Sequence, residues 1–203
     1  MTDTMCGIYR IHVGPDRFRP REISRIGYDF LPEAAGHFLR GICKMEERDS
    51  GVPEDHRYAV ERREGGKPFF PNCPEIKFNI SNSGEWIYIA LSTVEVGIDV
   101  QKITGAPLDR IAKRVFNPKE YDGFTRREDQ RAYFFREWAL RESYIKWTGE
   151  GLARDMRNLP HDAWQSHLPV PEGYVAAITA AEPLLCVDTE ILYDRQRGFI
   201  WKK

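Results

Sequence analysis

Three short apolar runs, Lys77 to Ile80, Trp86 to Leu91 and Val96 to Val100, follow one another, separated by turn signals at Ser81-Asn82-Ser83-Gly84 and Thr93-Val94-Glu95. β-Prone runs bounded by turn residues read as neighbouring strands. After Val100 the apolar period changes from two to about 3.6. Asp109 to Phe116 then reads as a helix, and Asn117, Pro118 and Glu120 supply a cap, a first-turn proline and an acid three residues after the cap for a second one. The longest helical pattern runs from about Glu128 to Trp147, is the most aromatic, and stops at Thr148-Gly149. Strand character returns at Tyr174 to Thr179 and Val187 to Tyr193.

Upstream, Gly7 to Val13 alternates as a strand and Gly14-Pro15 stops it. Pro32 to Glu47 has helical spacing, with Phe38, Leu39, Ile42 and Met45 recurring at three and four, and Asp49 to Arg57 reads as an exposed loop. Gly65-Gly66-Lys67-Pro68 and Pro71-Asn72-Cys73-Pro74 are dense in residues that fix or free the backbone, which marks a shaped loop resting against something. Strands, helices and strands recur on each side of about residue 100. The fold expected is therefore α+β, with halves at 1–100 and 101–203 and no strict sequence repeat.

A chain of 203 residues buries a core without disulfide staples. Its four cysteines, Cys6, Cys43, Cys73 and Cys186, form no CxxC pair and lie far in sequence from the histidines, so they read as reduced core thiols and not as a zinc site. With 30 basic and 31 acidic residues the net charge is −1, which argues against nucleic-acid binding by bulk charge. Any electrostatic site must be local, as in Arg10 to Arg25, where five arginines (10, 17, 19, 21 and 25) face Asp16 and Glu22. No apolar run approaches the ~20 residues that cross a bilayer, and the amino terminus lacks the order of a signal peptide. No membrane partner and a cytoplasmic location are expected.

Asp99 lies among β-branched neighbours in Val96-Gly97-Ile98-Asp99-Val100-Gln101, where a buried acid needs a metal or an ion-pair partner. Trp138, Glu142 and Lys146 are one helical turn apart on one face, so an indole, a carboxylate and an ammonium form a row. Such a row suits a metal and a phosphate together; the spacing equally fits a surface Glu-Lys pair worth about 0.3–0.5 kcal/mol, although a solvated face rarely carries a Trp. Ser81-Asn82-Ser83-Gly84 offers hydroxyls, an amide and N–H groups to phosphate oxygens, and the same residue types suit a plain turn.

Taken in order, GGKPFFP, FNISNSGEW, VGIDVQKI and WALRESYIKWTGEGL resemble the motifs of the Sfp-type 4′-phosphopantetheinyl transferases, over about Gly65 to Leu152. The family pattern is a Gly-Lys-Pro loop, Phe-Asn-Ile-Ser-His-Ser-Gly, Gly-Ile-Asp-x-Glu and a Trp-x-x-Lys-Glu-Ser-x-x-Lys helix. The resemblance implies a pseudo-dimer of two similar α/β halves with the active site in the cleft between them. It implies transfer of the phosphopantetheine arm of coenzyme A to a serine of an acyl or peptidyl carrier protein, releasing 3′,5′-ADP, with Mg²⁺ or Mn²⁺ as cofactor. Asp99 and Glu142, with Gln101, would then be the metal ligands, and a hard ion that takes few protein carboxylates suits that set. Glu142 would accept the serine proton and Lys146 would offset leaving-group charge. Gly66, Lys67, Pro68, Ser81, Asn82 and Ser83 would hold coenzyme A, with Arg25, joined by Arg19, at its 3′-phosphate.

Four positions depart from that pattern. Asn82 replaces a His, Gln101 a second acid and Arg141 a Lys, and His37 falls near where an arginine for the coenzyme A phosphate is expected. Asn82 and Gln101 motivate an alternative, a catalytically silent paralogue that binds coenzyme A or the carrier. An unrelated metal phosphoesterase would need more carboxylates and histidines than this segment offers. The carrier partner should be acidic: Arg110 to Lys146 holds ten basic and six acidic residues, and Arg110, Lys113 and Arg114 beside Val115 and Phe116 form the expected docking strip. A monomer is expected.

Overall fold

The structure, a computed structural model, describes residues 4–14, 18–44, 54–62, 66–151 and 154–202. Among these the elements are β1 (Thr4–His12), α1 (Pro20–His37), α2 (Glu54–Arg57), β2 (Glu61–Arg62), β3 (Pro68–Phe69), β4 (Lys77–Ser83), β5 (Trp86–Ser92) and β6 (Val96–Lys102). They continue with α3 (Asp109–Val115), α4 (Pro118–Thr125), α5 (Gln130–Thr148), β7 (Trp164–His167), β8 (Tyr174–Ala180), β9 (Leu184–Asp194) and β10 (Gly198–Trp201). The strands form a five-stranded sheet ordered β10-β9-β1-β5-β4, a three-stranded sheet ordered β6-β8-β7, and a β2-β3 ribbon.

Strand alternation distributes the core over four layers. On one face of the larger sheet Tyr9, Ile11, Ile87 and Ile89 meet Phe30, Leu31 and Ala34 of α1. On its other face Cys6, Ile8, Tyr88 and Ala90 meet Val96, Ile98 and Val100 of β6 and Ala176 and Ile178 of β8. The outer face of the smaller sheet, through Val175 and Ala177, takes Phe135 and Ala139 of α5. The result is helix, sheet, sheet, helix, a mixed α/β architecture. No helix among the described residues is long and apolar enough to cross a membrane.

The sheets do not divide at residue 100. β6 begins at Val96 and pairs with β8, Ile98 opposite Ile178, whereas β9 returns to lie parallel to β1, Ile8 opposite Asp188. β9 thereby covers an edge of β1 that would otherwise present unpaired backbone groups.

Helix α1 starts at Pro20 instead of the expected Pro32 and continues through a wider turn at Phe38–Ile42. Ile23, Ile26, Phe30, Leu31 and Ala34 form its buried stripe. Pro20 loses nothing at the first turn, where an N–H has no helical partner, and the Arg19 N–H donates to the Glu22 carboxylate at 2.8 Å. Of the arginines that read as a charge patch, Arg19, Arg21 and Arg25 are exposed at the start of α1, whereas Arg10 lies in β1 and pairs with Asp188 and Glu190. Arg17, Met45 to Glu47, residues 49–53, Gly65 and Leu152 fall outside the described residues. Residues 54–57 of the expected loop form α2. Ser81 to Ser83 lie within β4 and not in a turn, because pairing with β5 runs out to Ser83 opposite Trp86; the reversal is made by Gly84, at φ +57°, and Glu85.

Candidate active site

Asp99 faces α5 because β6 alternates: Val96, Ile98 and Val100 enter the inter-sheet core, which turns Gly97, Asp99 and Gln101 outward toward the helix. Gly97 lets α5 come close. A Cβ at that position would lie 2.1 Å from the Ser143 carbonyl oxygen and 2.4 Å from the Trp147 nitrogen, so the helix backbone rests on bare strand backbone. The helix is further tied down where the Ser143 and Thr179 hydroxyls, both fully buried, meet at 2.7 Å.

The contact concentrates charge. Asp99 is 1% exposed, and its Oδ1 accepts from Lys146 Nζ at 2.7 Å and Ser81 Oγ at 2.8 Å, while Oδ2 accepts from Gln101 Nε2 at 2.8 Å. Lys146 also donates to Ser81 Oγ at 2.8 Å. One turn back, Glu142 is buried, and burial followed by the negative charge of Asp99, partly offset by Lys146, pushes its carboxyl up to about 7. Trp138, next on the row, is half-buried against Phe134. The expected pair of acids thus shares one cluster with Lys146.

The residues expected to hold coenzyme A are placed less uniformly. Gly66, Lys67 and Pro68 line a groove of about 350 Å³ with Trp147, Thr148 and Gly149. The Lys67 ammonium is already satisfied there by the Glu95 carboxylate at 2.6 Å and the Val96 and Trp147 carbonyls at 3.0 and 3.2 Å. The second carbonyl belongs to the last turn of α5, where a cation meets unpaired acceptors. Asn82 accepts from Ser24 of α1 at 3.2 Å, and Arg25 beside Ser24 lies in solvent with Asp29 at 3.6 Å. Arg19 is equally exposed and pairs with Glu22. His37 lies elsewhere: its Nδ1 meets the Tyr9 hydroxyl at 2.9 Å and its ring packs against Trp201. The hydroxyls of Ser81 and Ser83 are engaged inside the seam between the sheets.

Two further expectations change. Val115 and Phe116 are buried, at 1% and 2% exposure, so they cannot form the apolar part of a docking strip. Ile111 is the exposed apolar residue beside Arg110 and Arg114, while Lys113 is paired with Asp109 at 2.8 Å. Arg141 fastens the helices to one another, donating to Glu137 at 2.6 Å and Glu120 at 2.8 Å. Asn79, 6% exposed, was not singled out by sequence, although the polar alternation of Asn79, Ser81 and Ser83 carried the signal.

Among the described residues no group of three or more His, Cys, Asp or Glu side chains could hold a metal ion. Two carboxylates still fit a hard divalent cation that takes its other ligands from water, an amide oxygen or substrate. Burial and the Asp99 charge both disfavour ionised Glu142, and an added cation would relieve each.

Residues 95–182 match the 4′-phosphopantetheinyl transferase superfamily. A 4′-phosphopantetheinyl transferase of Bacillus subtilis is 34% identical over 153 residues, covering 64% of this chain and 66% of the relative. The 4′-phosphopantetheinyl transferase Sfp of Bacillus subtilis strain 168 is 32% identical over 148 residues, covering 64% and 65%. An L-aminoadipate-semialdehyde dehydrogenase-phosphopantetheinyl transferase of Mus musculus is 32% identical over 175 residues, covering 77% of this chain and 56% of that protein. The chain spans just under two thirds of the length of the Bacillus subtilis relatives. The matched segment contains β6, α5 and the whole Asp99, Glu142 and Lys146 cluster, and on this agreement the chain belongs to the 4′-phosphopantetheinyl transferase superfamily.

Proposed function

We propose that this chain transfers the phosphopantetheine arm of coenzyme A to a serine hydroxyl of an acyl or peptidyl carrier protein and releases 3′,5′-ADP. The serine oxygen forms a bond to the phosphorus that carries the pantetheine arm, and the bond from that phosphorus to the bridging oxygen of the diphosphate breaks. Glu142 takes the serine proton directly or through a water; a carboxyl held near 7 suits that exchange better than one at its ordinary value of 4.5. Lys146, held by Asp99 and Ser81, places a fixed positive charge beside the departing diphosphate oxygen. Asp99 and Glu142, with Gln101, would hold Mg²⁺ or Mn²⁺, which when bound neutralises diphosphate charge.

The nucleotide end of coenzyme A is placed along Gly66, Lys67 and Pro68, with Asn82 and Arg25 nearer its phosphates. The groove beside the end of α5 supports this placement. The carrier is placed on α3, where Arg110 and Arg114 flank exposed Ile111 and suit an acidic helix. The reading treats the molecule as two similar halves meeting at the Asp99 cleft, supported by one helix on the outer face of each sheet. It treats the protein as a cytoplasmic monomer.

The observation that carries the proposal is buried Asp99 and Ser81 holding the partly exposed Lys146 of α5, with a second buried carboxylate, Glu142, one turn away on that helix. Whole-protein mass spectrometry of an apo carrier after incubation with coenzyme A and Mg²⁺ tests it. The expected result is a gain of one phosphopantetheine arm, lost in Asp99→Asn and Glu142→Gln while both variants stay folded. Turnover retained in both refutes it. The Gln101 amide facing Asp99, where the family has an acid, favours the silent paralogue as the second reading; calorimetric binding of coenzyme A with no mass gain on any apo carrier would select that reading.

A further inference from the structure

β6 is an edge strand, hydrogen-bonded to β8 on one side only, and β4 is the edge strand of the other sheet. Alternate amides of such a strand point away from its partner and need acceptors if buried. The Ile98, Val100 and Lys102 amides point this way, and each finds a side chain of β4: Asn79 Oδ1 at 2.9 Å, Ser81 Oγ at 3.3 Å and Ser83 Oγ at 2.9 Å. The three pairs keep one offset of 19 residues, so β4 and β6 run side by side in fixed register with side-chain oxygens in place of a backbone ladder. Asn79 and Ser81 are each 6% exposed. On the opposite face of β4, Phe78 enters the α1 core and Ile80 packs against it, which fixes the direction of the polar row.

We infer that Asn79, Ser81 and Ser83 are positioning residues that stand in for a neighbouring strand and so set the register and depth at which β6 presents Asp99. A slip of β6 by one residue would turn Asp99 into the inter-sheet core and Ile98 toward α5. Three acceptors spaced every second residue reach amides of one parity only, and the Ser81–Asp99 contact at 2.8 Å separates this register from one shifted by two residues. Ser81 adds a second task, since its hydroxyl donates to Asp99 and accepts from Lys146, tying both to β4. Hydroxyls engaged in this way hold the strand that carries Asp99.

The inference deepens the transferase reading and rests on it for its kinetic part, so the test has two arms. In the first, amide-resolved hydrogen exchange by NMR compares the wild type with Asn79→Leu and Ser83→Ala. Exchange at Ile98 in the first variant and Lys102 in the second should accelerate roughly tenfold, while Gly97 and Asp99, on the β8 side, keep their protection. Unchanged exchange at both amides overturns the inference whether or not the protein transfers anything, because exchange is read without substrate. In the second arm, steady-state transfer by Ser81→Ala should show kcat lowered roughly tenfold or more with KM for coenzyme A unchanged within about twofold, and Ser81→Thr, which keeps the oxygen, should recover most of the rate. A raised KM with kcat intact would identify Ser81 as a coenzyme A contact and overturn the inference. A wild type that modifies no carrier would overturn the transferase reading alone, with the exchange arm still deciding the role of the polar row.

Discussion

Replacing Glu142 by Gln should make the fold more stable at neutral and alkaline pH. The carboxyl is 7% exposed, and its pKa rises from an ordinary 4.5 to about 7, first through burial and then through the charge of Asp99. Below pH 4.5 the group is protonated in both folded and unfolded chains and contributes no difference. Between 4.5 and about 7 the unfolded chain has released its proton while the folded chain still holds one, so stability falls as pH rises across this window. At about 1.36 kcal/mol for each tenfold change in proton affinity, the rise from 4.5 to about 7 amounts to about 3 kcal/mol. Gln has the shape of the neutral acid and escapes that loss. Urea unfolding with a chelator present should therefore give Glu142→Gln an advantage of about 3 kcal/mol at pH 8 and almost none at pH 4.5. An equal advantage at both pH values, or none at pH 8, would refute the claim that an ionised Glu142 is held against a burial penalty. A side chain that lowers stability where chemistry needs it is the usual trade at a site.

The close approach of α5 to β6 makes Gly97→Ala strongly destabilising. A Cβ 2.1 Å from a backbone oxygen forces the helix off the strand, and calorimetry should find a melting temperature lower by roughly 10 °C or more, with a shift of under 2 °C sinking the argument. The α3 surface predicts that Arg110→Glu with Arg114→Glu raises KM for an acidic carrier roughly tenfold and leaves KM for coenzyme A unchanged; equal effects on both would remove α3 as the docking face.

Much of the secondary structure and the pair of acids are legible from residues close in the chain. The Asn117 cap accepts from the Lys119 and Glu120 amides as its Pro118 and Glu120 neighbours foretell, and Gly149 ends α5 at φ +76°. Trp138, Glu142 and Lys146 share a face because a helix repeats every 3.6 residues. The start of α1 is not legible because Arg19, Arg21 and Arg25 signal charge before they signal a helix face, and what buries the other face, Tyr9, Ile11, Ile87 and Ile89, lies in separate strands. Val115 and Phe116 read as surface for a similar reason: their cover comes from Phe124, Phe134 and Ala139 on other helices.

Local order in the chain determined the strands from Lys77 to Val100, the capped helices after them, and an acid on a strand and another on a helix as the groups worth watching. Only the tertiary structure decided that β9 returns beside β1, that Ser81 and Ser83 face the backbone of another strand, and that Lys67 closes the end of α5. Periodicity and capping are settled between residues a few positions apart, so they leave a pattern in sequence. The second set depends on which surfaces meet after the chain has folded over long separations, and a serine carries no mark of the amide it will accept from.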